Sequence, residues 1–139
     1  MNDTGISLKI YRFSRILYLK GFKRISKFFY YVNYIVFGCI IPATTDIEEG
    51  CEIAHSTGIV IHQWSKIGSG TKIYQNVTIG NAGGPIIGRN CVIGAGACVL
   101  GDIVIGDNVK IGANAVVLVD VSDNCTVVGV PAKIVKRKG

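Results

Sequence analysis

From Ile47 onward the chain keeps a six-residue beat. Stepping by six, with two extra residues admitted twice, reaches Ile47, Ile53, Ile61, Ile67, Ile73, Ile79, Ile87, Ile93, Val99, Ile105, Ile111 and Val117. All twelve positions hold Ile or Val, which together make up only about a quarter of the chain. The next residue is Gly six times, at Gly68, Gly80, Gly88, Gly94, Gly106 and Gly112. The fourth residue after each anchor is small: Cys51, Thr57, Ser65, Thr71, Val77, Gly83, Cys91, Ala97, Val109, Ala115 and Val121, with Ile103 the one larger member. A helix repeats its face every 3.6 residues and a half-buried strand every two, so six fits neither. It fits short parallel strands joined by turns, with aliphatics stacked inside and small residues at the corners. Three such units close a triangular coil, and the twelve units make about four coils.

The beat also says which residues stack. Positions three units apart lie above one another, so His55 heads a column that continues through Gln75, Ala95 and Ala113. His62 heads another, continuing through Gly80, Leu100 and Leu118. These are the only two histidines of the 139 residues. The first column sets one imidazole at the end of a track of small side chains, a shape suited to a base beside a long flexible ligand. The second lies on a different face of the prism, so the two histidines have no need to converge within one chain.

Outside the beat the composition changes. Residues 1–45 carry a net charge of +6, residues 46–132 carry −4, and residues 133–138 carry +4. Residues 6–37 read as one or two amphipathic helices interrupted near Gly21, leading to a turn at Pro42, and placed to cover an open end of the coil. The expected division is 1–45 helical segment, 46–125 repeat, and 126–139 final strand and basic tail. The longest apolar stretch, Phe28 to Ile41, has 14 residues and is broken by Asn33, short of the ~20 needed to span a bilayer. Five cysteines without a CxxC pair, and no secretory signal, indicate reduced thiols and a cytoplasmic protein. Residues 9–31 hold seven Lys or Arg among aromatics and no acid, which makes this segment a candidate for peripheral contact with the inner membrane. No nucleic-acid motif is present.

Over residues 40–135, "IVIHQWSKIGSGTKIYQNVTIG" and "IIGRNCVIGAGACVLGDIVIGDNVKIGANAVVL" resemble the hexapeptide-repeat acyltransferases. The likeness is closest to the serine acetyltransferase branch and to the sugar O-acetyltransferases that share its core. It implies an all-β, left-handed parallel β-helix with an N-terminal helical segment, assembled as a homotrimer with active sites between subunits. It also implies acetyl-CoA as co-substrate and His55, in "AHSTGIV", as the general base that deprotonates the acceptor hydroxyl. The matching donor-binding positions are Gly80, Asn81, Ala95, Lys110, Ala113 and Lys133, with Lys136 and Arg137 further candidates for the nucleotide phosphates.

This chain departs from the serine enzymes in three places. Ala54 stands where they carry an Asp beside the catalytic His, Ile40 stands near their imidazole-orienting Asp, and the loop after "VTIG" is cut short to "NAGGPIIG". These departures put a sugar of a cell-envelope polysaccharide pathway first as the expected acceptor. Serine O-acetylation is the alternative, and a non-catalytic β-helical scaffold a second one. Asp46 is the nearest acid to orient His55, and Gln75 is the next candidate by the column. No metal is expected. Cys51 and Cys91 occupy corner positions, and the two histidines are one short of the three that β-helical zinc hydratases use.

Overall fold

The computed structural model describes residues 5–81 and 83–138 as a helical hairpin followed by a left-handed parallel β-helix. Helix α1 spans Ile6–Leu19 and α2 spans Lys23–Phe37. The link between them turns at Gly21, whose φ of 90° lies in the left-handed region that favours glycine. The second helix ends at Gly38, φ 64°, whose N–H returns to the Tyr34 carbonyl while Cys39 N–H reaches the Asn33 carbonyl.

Short strands then follow, nearly all of two or three residues, and they stack into three faces. Face A carries β3 (Val60–Ile61), β6 (Thr78–Gly80), β9 (Cys98–Leu100) and β12 (Val116–Val117). Face B carries β1 (Asp46–Ile47), β4 (Lys66–Ile67), β7 (Ile86–Ile87) and β10 (Val104–Ile105). Face C carries β2 (Glu52–Ile53), β5 (Lys72–Ile73), β8 (Val92–Ile93), β11 (Lys110–Ile111), β13 (Cys125–Val128) and the returning β14 (Lys133–Arg137). Anchors pair as the beat requires: Ile61 with Ile79, Ile47 with Ile67, and Ile53 with Ile73 with Ile93 with Ile111. All twelve anchors are buried.

The coil runs past the twelve anchors at both ends. Ile40 bridges Val60, so buried Ile41 is a first anchor. Val121 bridges Ile105 next to it, and Val127 pairs with Ile111, so the last coil steps by four and then by six. The two insertions also fall elsewhere than a forward count puts them. Thr57 and Gly83 are exposed, and Ile59 and Pro85 fill the inward corner positions. The extra residues enter before the inward residue, so that residue keeps its distance from the next anchor rather than from the last.

Two of the three corners are built alike. Between faces B and C the chain turns through Gly50, Gly70, Asn90, Asn108 and Asn124, all at positive φ. Between faces C and A it turns through Gly58, Asn76, Gly96 and Asn114. Asn tolerates the left-handed region better than other residues with a Cβ, which explains why these columns hold only Gly and Asn. The corner between A and B is irregular, with Asn81 and Gly83 exposed there.

Helix α1 seals the first coil. Leu8 and Tyr11 are buried in the same core as the anchors, and the Tyr11 hydroxyl donates to the Thr45 carbonyl. Arg12 donates to the Ile47 and Glu48 carbonyls at 2.5 and 2.7 Å, and Arg15 to those of Ala43 and Thr45, both at 2.9 Å. These carbonyls would otherwise form an open sheet edge. At the other end, β14 runs antiparallel to β13 and presents Lys133, Lys136 and Arg137.

Candidate active site

His55 sits on the C–A corner of the first closed coil. Its carbonyl accepts from Thr57 N–H at 2.9 Å, which folds the two extra residues into a tight turn. Ser56, its neighbour, is clamped by α1: Ser7 N–H and Ser7 Oγ both donate to Ser56 Oγ, at 3.2 and 3.0 Å. Gly58 then turns back with φ 64°, and a methyl there would collide with Asn76 Oδ1. The insertion is thus held from above by the helix and from below by the next coil. The His55 side chain is exposed and makes no hydrogen bond within the described residues.

The pairings set His55, Gln75, Ala95 and Ala113 in one column, each two residues past a paired anchor. The column continues to Gly129, two residues past Val127. Four coil steps at about 4.8 Å make a track about 19 Å long. Gln75 Oε1 is sheltered from solvent and has no hydrogen-bond partner, one coil from the imidazole.

The donor-site candidates divide between two corners. Ala95 and Ala113 share the His55 column, whereas Gly80 and Asn81 end face A at the opposite, A–B corner. Lys110 and Lys133 belong to the face C sheet. Lys110 pairs with Thr126, which in turn faces Lys136, so Lys136 is the residue in line with Lys110. Lys133 faces Val128, nearer the Ala113 end. One chain therefore does not bring all six residues together.

His62 has other surroundings. Its Nδ1 accepts from Trp64 N–H at 3.3 Å, its ring meets the Trp64 ring edge-on at 5.6 Å, and its carbonyl accepts from Thr45 Oγ1 and Ser65 N–H. It is tied into the A–B turn of its own coil. Asp46 does not orient His55: it lies on face B, where Arg15 pairs with it at 3.8 Å. The Cys51 and Cys91 thiols donate to the Gly68 and Gly106 carbonyls, both at 3.1 Å, and burial pushes both thiols above the ordinary cysteine range. Among the described residues no three His, Cys, Asp or Glu side chains converge as a metal set. A cleft of about 390 Å³ between the hairpin and the first coil is lined by Tyr18, Lys23, Lys27, Tyr30, Thr44 and Gln63, and excludes His55. No residue pattern marks Arg12 and Arg15 as caps of the coil, because they read only as part of a basic segment.

The model of the bacterial transferase hexapeptide (six repeats) matches residues 84–118. A serine acetyltransferase of Synechocystis sp. is 43% identical over 96% of this chain and 56% of its own length. One from Staphylococcus aureus is 40% identical over 96% of this chain and 62% of its own length. Among solved structures, a Neisseria gonorrhoeae serine acetyltransferase in complex with serine superposes with a TM-score of 0.89, at 37% identity, over 94% of this chain and 55% of its own. A serine acetyltransferase complex with CoA gives 0.87, at 35% identity, over 93% and 55%. The chain spans about half the length of the relatives it matches. These relatives are named for serine, which moves the sugar expected from the motif departures out of first place. Repeat, strand register and identity agree in one likeness: this chain is similar to serine acetyltransferases over nearly all of its own length and carries the transferase hexapeptide repeat over residues 84–118.

Proposed function

We propose that the chain is an acetyl-CoA-dependent O-acetyltransferase whose acceptor is serine. The observation that carries the reading is the column itself: an exposed imidazole at the head of a track bearing Ala95 and Ala113, in a chain similar to serine acetyltransferases. His55 takes the proton of the acceptor hydroxyl as its oxygen attacks the thioester carbon. The C–S bond then breaks, and the proton returns to the departing thiolate. The donor lies along the C–A corner, where small side chains let its amides approach the backbone, and Lys110, Lys133 and Lys136 meet its phosphates.

The division of the candidates supports a homotrimer. The His55 corner of one copy meets the Gly80–Asn81 corner of the next, and the reaction takes place between them. Ala54, which cannot grip serine as an Asp does, favours a second reading in which another small hydroxyl compound, hexoses included, is the acceptor.

Release of CoA thiol with serine, hexoses or nucleotide sugars decides the acceptor. His55→Ala is expected to cut turnover by at least ~10²-fold, with acetyl-CoA binding by calorimetry near normal. His62→Ala keeps most of the activity. A dead His62→Ala beside an active His55→Ala would overturn the assignment, and absence of acetyl-CoA binding would leave the scaffold.

A further inference from the structure

The hairpin is built inside out for a protein surrounded by water. Where α1 meets α2 the buried hydrogen-bonding side chains are small and polar: Ser14, Ser26 and Asn33. Ser14 Oγ donates to the Ser26 carbonyl at 2.8 Å, Ser26 Oγ to the Ser14 carbonyl at 2.7 Å, and Asn33 Nδ2 to the Ser7 carbonyl at 3.1 Å. The outer surface carries the large apolar residues. Leu19 is 67% exposed, Phe22 55%, Phe28 61% and Ile35 76%. Phe13, Phe29 and Phe28 form a chain of edge-on ring contacts at 4.9 and 5.3 Å along it. Small hydrogen-bonding residues between helices with apolar residues facing outward is the polarity of helices that meet lipid.

Charge identifies the kind of lipid. Residues 5–45 contain seven Lys or Arg and no acid. Arg12 and Arg15 are occupied by coil carbonyls, while Lys20, Lys23, Arg24 and Lys27 remain exposed or half-exposed around the hairpin turn, interleaved with Leu19, Phe22 and Ile25. The nearby acids Asp46 and Glu48 are engaged by Arg15 and Arg89. No described helix is long and apolar enough to cross a membrane, and helices of 14 and 15 residues are about 21–23 Å long. We infer that the hairpin lies in the interface of an anionic bilayer, its turn and the Phe28 face sunk among the headgroups and the basic residues on the phosphates.

Co-sedimentation of the full chain with phosphatidylglycerol/phosphatidylcholine vesicles tests this. Binding is expected to exceed that to pure phosphatidylcholine vesicles by at least ~10-fold and to weaken at high salt. K20E/R24E, which changes only exposed positions, and F22S/F28S are each expected to lower it ~10-fold or more while turnover with acetyl-CoA stays as in the parent. The proposal fails if the chain shows no preference for anionic vesicles or if K20E/R24E binds undiminished. It also fails if light scattering shows an assembly that F22S/F28S halves while vesicles capture nothing, because a second copy then covers the face. Should F22S/F28S not fold, the charge pair decides alone.

Discussion

His55 and His62 stand seven residues apart and meet opposite surroundings. The His62 ring is held by the Trp64 amide and indole, so its shape and orientation are already committed to the turn. The His55 ring has no partner within the described chain, which leaves both nitrogens open to a substrate or to a second copy. Gln75, one coil away in the same column, also carries a polar atom without a partner among the described residues. A sheltered carbonyl without a donor costs about 1–3 kcal/mol, and its retention beside His55 suggests a partner that arrives with substrate. Gln75→Leu is therefore expected to leave the melting temperature unchanged or higher while acetyl transfer falls. Equal turnover in a folded Gln75→Leu would show that the carbonyl meets nothing in the reaction. The column that groups these residues was readable because the beat fixes stacking. The partner of Gln75 Oε1 was not, because no periodicity encodes hydrogen-bond satisfaction.

At the scale of the strand, side chains alternate between core and outside, and a one-residue slip would invert every face. Ile93 is fully buried on face C, whereas Ile86 on face B is 44% exposed. Ile93→Ala is expected to lower the unfolding free energy by about 2–5 kcal/mol. Ile86→Ala should cost less than ~1 kcal/mol, since part of its area is already in water. Denaturant titration of the pair measures the difference, and equal losses would mean the register is shifted. The anchors were legible because twelve inward aliphatics at one spacing leave few alternatives. Thr57 and Gly83 were misplaced because a period shows that two residues are extra and not on which side of a corner they enter. The shortened last coil at Val121 was missed for the same reason: a step of four breaks the count, and only the bridge to Ile105 restores it. The hairpin was legible as helix from its pattern. Its inverted polarity was not, since the Ser and Asn residues that face inward look like the solvent side of an ordinary amphipathic helix.

For the whole molecule, the separation of Gly80 from His55 makes a prediction about mixed assemblies. Gly80→Leu should fold, because Leu100 occupies the same column one coil away, and it should block the donor at that corner. Each of His55→Ala and Gly80→Leu is expected to be inactive alone. Refolded together in equal amounts, about a quarter of the sites regain both intact corners by random assortment in a closed ring. No recovery would mean that the two corners do not meet across copies. The sealed end carries a further consequence, for the order in which the molecule comes into being. The hairpin precedes every coil in the chain, so during synthesis it emerges before them, and Tyr11, Arg12 and Arg15 find the first coil as soon as that coil is complete. Each later strand then meets a finished edge some 16–20 residues behind it, as Ile73 meets Ile53 and Val127 meets Ile111. The ribosome thus delivers a template before each copy that needs it, and the growing edge always points the same way until β14 folds back along it and ends the series with lysine and arginine.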